Sequence, residues 1–160
     1  MTGHIRALTC EELPLCIDHG KAFHAEFHLD GQFIPEVFLR NWTHFYDRKI
    51  GVVLSLWDDH QLIGGLGGLL APDLFDDRLC ANEIFWFVSN PYRTGRGGIR
   101  LLDGYERWAF DNGAVEARLV YLNGGEHDEG IHRFYARRGY QIRETGWCKP
   151  LANFSEHVWL

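Results

Sequence analysis

Apolar and polar positions alternate along HIRALT, near the amino terminus, and then shift to helical spacing in TCEELPLCIDHGKAFHAEF. Thr9 stands there as an N-cap, with Glu11 and Glu12 in the first turn, so the pattern predicts a strand followed by a helix. After the turn-like HLDGQF, Pro35 marks the start of a second helix, whose apolar stripe is Val37, Phe38, Trp42 and Phe45. KIGVVLSLWDDHQLIGGLGGLLA reads as two strands joined at DDH, an antiparallel hairpin with a glycine-rich second arm. NEIFWFVS is a further strand, and aromatic bulk on both of its faces predicts burial.

NPYRTGRGGIRLLDGYERWA then opens a helix in which Leu101, Leu102, Tyr105, Trp108 and Ala109 share one face and Gly113 is placed for the C-cap. Gly104 interrupts it at a cost of about 1 kcal/mol relative to alanine, which predicts close approach to a neighbouring element. AVEARLVYLN predicts a strand, EHDEGIHRFYARRG a short helix with acids first and arginines last, and YQIRETGWCKPL a final strand or hairpin. The order β-α-α-β-β-β-α-β-α-β gives an α/β fold, more strictly a mixed α+β sheet, with helices on both faces. No repeat, linker or low-complexity stretch divides it, so residues 1–160 read as a single domain.

Composition narrows the classes of partner. With 160 residues, 46% hydrophobic and 14% aromatic, the chain can fill one core and not two. A formal net charge of -6 and a pI near 5.8 argue against a nucleic-acid binder that relies on a basic face, and suit an amine-bearing, cationic partner. No apolar run approaches the ~20 residues of a membrane span, and MTGHIRALTCEEL lacks the basic-then-apolar order of a signal peptide. A cytoplasmic protein is expected, with no membrane partner. Cys10, Cys16, Cys80 and Cys148 are scattered without a CxxC pair, which predicts reduced thiols and no zinc knuckle.

The chemistry concentrates where the third helix begins. Positive side chains at a helix N-terminus oppose the macrodipole, so Arg93, Arg96 and Arg100 call for something negative nearby. Amides made approachable by Gly95, Gly97 and Gly98 would form an anion cradle, which points to a phosphorylated ligand. The spacing fits neither GxGxxG nor a Walker A loop. A glycine-rich turn with solvated arginines is the ordinary alternative.

FWFVSNPYRTGRGGIRLL resembles the strand, pyrophosphate loop and helix of the GNAT superfamily, the acyl-CoA-dependent N-acyltransferases, and HRFYARRGY is similar to that family's late lYekxGF segment. Two departures stand out against the family's [QR]xxGxG loop. With Arg93 at its first position, Arg96 replaces the first glycine while Gly98 fills the second, and Asn90 takes the place of the usual proline. Arginine-bearing loops of this kind resemble those of bacterial and tailed-phage members. The resemblance implies a GNAT-like central, mostly antiparallel twisted sheet and acetyl-CoA as co-substrate. Its pyrophosphate would rest on the amides from Arg93 through Thr94, Gly95, Arg96 and Gly97 to Gly98. The pantetheine arm would lie along the strand at Phe87 and Val88, in a gap opened against LVYLN by a bulge near Ser89 to Pro91. A backbone N–H near Val88 would then polarise the thioester carbonyl.

Tyr135 occupies the position of the tyrosine that, in many family members, protonates the departing thiolate; an aromatic anchor for the short helix is the other reading. Glu83 is the candidate base for the attacking amine, since a carboxylate buried among IFWFV would have a raised pKa, against the reading of a solvated strand-end glutamate. Asn123 could bond ligand or water, or serve only as a turn residue.

Other signals carry less. His24 and His28 stand four apart, but HAEFH misplaces the glutamate of HExxH and supplies no third ligand, so no metal is expected. GGLGG marks twist, bulging or tight packing. Asp58, Asp59, Asp73, Asp76 and Asp77 form acidic loops that would attract an amine or simply be solvated. The chain thus reads as an N-acetyltransferase acting on a small-molecule or protein amine, the acceptor being set by variable segments at 24–47 and 70–82. A non-catalytic acyl-CoA-binding or protein-interaction module of the same fold is the alternative, an unrelated phosphate binder is the third reading, and a homodimer stays open.

Overall fold

In the computed structural model, which describes residues 3–27, 31–121, 128–144 and 146, five strands form one sheet in the order β1-β2-β3-β4-β5. They are β1 (His4–Ala7), β2 (Gly51–Asp58), β3 (Gln61–Pro72), β4 (Leu79–Val88) and β5 (Glu116–Arg118). The first three pairings are antiparallel and β4 pairs β5 in parallel. The parallel step requires a crossover, supplied by α3 (Gly97–Asp111). Helices α1 (Ile17–Glu26) and α2 (Pro35–Asp47) fall between β1 and β2, as the pattern predicts. The chain separates into two compact units, Met1–Tyr121 and Leu122–Leu160. The sheet and α1 to α3 make up the first, and α4 (Asp128–Arg137) belongs to the second.

The two sheet faces are read most directly at GGLGG. A Cβ added to Gly67 would come within 2.5 Å of Phe85 and 2.7 Å of Trp42 in α2, whereas one on Gly68 would meet Trp108 and Tyr105 in α3 at 2.8 and 3.0 Å. Neighbouring strand positions face opposite ways, so α2 and α3 cover opposite faces. The glycines are there because aromatic rings press on β3 from both sides. On the α2 face Trp42, Val53 and Leu62 are buried with Leu8, Leu13 and Cys16, and Phe38, Phe45 and Phe85 pack around them. On the α3 face Leu101, Leu102 and Tyr105 are fully buried against Leu54, Leu56 and Leu66. Full burial of each leucine contributes roughly 1.5–3 kcal/mol. Gly104 sits where a Cβ would lie 3.2 Å from Leu54, which accounts for a glycine in mid-helix.

The structure differs from the sequence pattern in three elements. The segment after Thr9 begins as a 3-10 helix, Cys10–Cys16, and only then becomes α1. Pro14 lies inside it; lacking an N–H and crowding the carbonyl four residues back, proline favours the tighter winding. The Thr9 N–H still donates to Glu12 Oε2 at 2.9 Å, and Glu12 takes a bidentate pair from Arg6 at 2.7 Å, which holds its carboxyl down at about 2. The strand expected over AVEARLVYLN pairs only from Glu116 to Arg118, and Leu119 to Tyr121 leave the ladder. Of the expected final strand, residues 140–144 and 146 have no strand pairing and 141–144 are exposed; the rest lies outside the described residues.

Cys10, Cys16 and Cys80 are free thiols, and Cys148 lies outside the described residues. Among the described residues no helix is long and apolar enough to cross a membrane.

Candidate functional site

Strand β4 carries one residue more than its partner requires. Its register with β3 runs Gly64↔Val88, Gly65↔Phe87, Leu66↔Trp86 and Gly67↔Phe85, then jumps to Gly68↔Glu83, which leaves Ile84 as the inserted residue of a bulge. This is five residues earlier than the predicted bulge at Ser89 to Pro91, where the chain instead turns through a 3-10 segment, Asn90–Tyr92. Gly67 and Gly68, flanking the register shift on β3, permit the local bend that a bulge imposes. The extra residue reverses the alternation of faces. Glu83 therefore shares the α3 face with Trp86 and Val88, while Phe85 and Phe87 turn to the α1 and α2 side, where Phe87 stacks on His19 at 4.9 Å between ring centroids.

At the same level β5 parts from β4. Pairing stops at Asn82↔Arg118, and side chains take over the backbone groups that follow. Tyr105 Oη donates to the Arg118 carbonyl at 3.0 Å, and the Val120 N–H donates to Glu83 Oε2 at 3.0 Å. Glu83 is only 5% exposed, so it is not the solvated strand-end residue that the sequence allowed. Burial pushes its carboxyl up from 4.5 to about 7, and the Val120 hydrogen bond offsets this only in part. A buried acid poised near neutrality at the mouth of a splayed strand pair can exchange a proton at physiological pH.

Backbone groups line the same gap. The Ser89 N–H donates to the Ile63 carbonyl at 2.8 Å, which fixes the alternation: the amides of Phe87 and Phe85 face β3, and those of Val88 and Trp86 face the edge that β5 has left.

The loop beyond Val88 is fixed by its first arginine. Arg93 Nε donates to the Val88 carbonyl at 2.7 Å, and both of its terminal nitrogens donate to Glu26 of α1 at 2.5 Å. Arg100 is also committed, donating to the Gly3 carbonyl. The side chain of Arg96 is exposed and has no hydrogen bond or ion pair among the described residues. Helix α3 opens with neither a side-chain cap nor an acid in its first turn, leaving the amides of its N-terminus directed outward. Of the loop glycines, Gly97 is demanded by packing, since a Cβ would overlap the buried Leu56. Gly95 and Gly98 are not: their added Cβ atoms would make only ordinary contacts, at 3.5 Å to the Tyr92 carbonyl and 3.6 Å to Trp86. Both therefore leave the backbone approachable, as binding of a pyrophosphate to these amides would require. Thr94, just before Gly95, is exposed.

Tyr135 lies in α4, with Phe134 and Tyr140 at ring distances of 5.8 and 5.9 Å, so the described surroundings are aromatic. Asn123 and His28 lie outside the described residues. His24 stands beside Phe33, and no cluster of metal-ligating side chains occurs among the described residues. Two of the acidic-loop residues are paired: Asp73 with Arg118 at 2.9 Å and Asp76 with Arg78 at 2.5 Å. Glu26, Ile84, Tyr105 and Val120 were not marked as site residues by the sequence pattern. Only the apolar spacing of α3 pointed to Tyr105, and it did so as core.

Comparison with known proteins follows the same line. The profile of the acetyltransferase (GNAT) family matches residues 16–140, and the chain belongs to that family. No curated protein matches the sequence. A predicted acetyltransferase from Clostridium acetobutylicum, solved with acetyl-CoA, superposes with a TM-score of 0.75 at 13% identity, over 94% of this chain and 97% of that one. An acetyltransferase from Trypanosoma brucei gives 0.69 at 16% identity, over 93% and 99%. An aminoglycoside acetyltransferase from an uncultured soil metagenomic sample, in complex with sisomicin, gives 0.72 at 16% identity, over 93% and 96%. At these identities the likeness is one of fold.

Two stability measurements check this geometry. Unfolded, Glu83 titrates near 4.5, so between about pH 4.5 and 7 the folded protein keeps a proton that the unfolded chain has lost, and stability falls as pH rises through that window. Urea unfolding across pH 4.5–7.5 should show this decline, by as much as about 3 kcal/mol, and Glu83→Gln should flatten it. An unchanged slope in the variant would place the titration elsewhere. Gly97→Ala should cost about 1–3 kcal/mol through overlap with Leu56. Gly98→Ala should leave stability level or raise it by up to about 1 kcal/mol; equal losses at the two positions would refute the packing distinction.

Proposed function

We propose that residues 1–160 act as one N-acetyltransferase domain, which moves an acetyl group from acetyl-CoA to a primary amine. The observation that carries this reading is the buried Glu83 carboxyl, raised to about 7, where β5 parts from β4 in a chain of the GNAT family. Acetyl-CoA supplies the activated acetyl thioester. Everything else falls to this chain. The Arg93 and Gly95 N–H groups donate to the Asn90 and Tyr92 carbonyls at 3.3 Å, so the amides of Thr94, Arg96, Gly97 and Gly98, with the Arg96 side chain, hold the pyrophosphate, and the Val88 N–H on the edge of β4 donates to the oxygen that gains negative charge.

Glu83 accepts the proton that the attacking amine must lose, and the distance decides how. Five residues of strand at about 3.3 Å each put the Cα atoms of Glu83 and Val88 up to roughly 16 Å apart, beyond the reach of a glutamate side chain. The proton therefore passes to Glu83 Oε through water. Tyr135 gives its hydroxyl proton to the departing thiolate, a role that rests on its place in HRFYARRGY. The acceptor is a small amine, the class of ligand present in the sisomicin complex of the metagenomic relative. An acidic chain with a net charge of -6 favours the approach of such a cation.

Thioester cleavage measured with a panel of amines is the direct test. Wild-type activity should rise through about pH 7 as Glu83 deprotonates. In Glu83→Gln that limb should vanish and the rate fall by about 10²- to 10⁴-fold, with acetyl-CoA affinity little changed. Binding of acetyl-CoA without turnover of any amine would instead support the non-catalytic module. Tyr135→Phe should lower kcat by ten- to a thousandfold, by order of magnitude, with KM nearly unchanged, because a proton delivered to the leaving group acts only in the transition state. A kcat within about twofold of wild type, where chemistry limits the rate, would make Tyr135 an aromatic anchor only.

A further inference from the structure

Arg93 begins the loop as a cation that ought to face phosphate, yet all three of its guanidinium nitrogens are taken. One holds the carbonyl of Val88, the last residue of β4, at 2.7 Å, and the other two grip the carboxylate of Glu26, the last residue of α1, at 2.5 Å. A planar fork held at three points has a fixed orientation, and its charge is neutralised by its partner. The pair is also exposed, at 41% and 42% of the two side chains, and exposed ion pairs add little to global stability. Its use must be local. It joins the end of α1, remote in sequence, to the end of β4 and the turn that leads from it to the N-terminus of α3.

The Val88 carbonyl lies on the same edge as the Val88 amide, where no strand pairs with β4 beyond Asn82 among the described residues. There β3 holds the end of β4 from one side, and Arg93 is the partner of its carbonyl on the other. We propose that Glu26 is a positioning residue for the coenzyme A loop: it holds Arg93 against the Val88 carbonyl, so that strand and loop keep one fixed geometry. Arg93 is then a strut, and Arg96 is the loop's remaining cation for phosphate. The link also ties the loop to α1, so displacement of that helix is felt where the pyrophosphate rests. The ligand half of this inference rests on the proposed function; the mechanical half does not.

Two readouts on Glu26→Gln, Arg93→Gln and the double variant test it separately. In the ligand-free protein, amides from Ser89 to Gly98 should exchange hydrogen at least about threefold faster in both single variants, with β2 and β3 unchanged. Unchanged loop exchange in Glu26→Gln would overturn the strut. Acetyl-CoA affinity, by calorimetry, should fall about three- to thirtyfold in each single variant, and the double variant should be no weaker than Arg93→Gln alone. If Arg93 touched phosphate directly, freeing it from Glu26 would leave affinity unchanged or improve it, and either result in Glu26→Gln overturns the proposal. Failure of the wild type to bind acetyl-CoA at all would strike the functional reading, while the exchange experiment would still decide the strut.

Discussion

A strand has two faces, and a single inserted residue exchanges them. The bulge at Ile84 is the constraint on which the candidate site depends. Without it, Glu83 would share a face with Phe85 and Phe87 and lie under α1 and α2 in a dense aromatic cluster. With it, Glu83 turns to the α3 face, next to Tyr105, at the level where β5 stops pairing. The same insertion keeps Trp86 and Val88 beside Gly98 at the start of α3. One residue thus aligns the buried acid, the open edge of β4 and the glycine loop on one side of the sheet.

The bulge is possible because β3 is almost bare. Four glycines among five residues give rings from α2 and α3 room to lie directly on the strand, and they let the backbone bend where the register slips. In most strands such a composition would cost stability through lost side-chain burial. Here Trp42, Phe85, Tyr105 and Trp108 fill the volume that the missing side chains leave. The aromatic content that sequence composition registers only as a percentage is therefore a specific complement to the glycines.

Much of this was legible in the sequence, and the limits have physical causes. Period and punctuation placed the helices and the β2–β3 hairpin, because burial of one face and the geometry of a two-residue turn are local demands. Gly104 was legible for the same reason, since a poor helix former needs a packing explanation. The bulge was not: whether NEIFWFVS carries an extra residue depends on the register of β3, and both faces of β4 are apolar, so alternation gives no signal when it reverses. Nor was the pairing of Arg93 with Glu26, which spans 67 positions of sequence and is settled by the path of α1. Glu83 stood between: its neighbours suggested burial, but only the departure of β5 leaves it a single backbone donor.

Charge gives the site a direction along β4. The acidic turn between β3 and β4 stands at one end, where Arg78 and Arg118 neutralise part of it while Asp77 is in no ion pair among the described residues. The loop of arginines stands at the other end, some ten residues or roughly 30 Å along the strand. An anionic ligand and a cationic one are thus favoured at opposite ends of the same strand, with Glu83 between them. In a chain of net charge -6 the outward amides of α3, which carry positive potential without adding a mobile side chain, add to what the arginines supply to an anion. With Arg93 neutralised by Glu26, that potential comes from the helix end together with Arg96 and with Arg100, whose bond to the neutral Gly3 carbonyl leaves its charge in place.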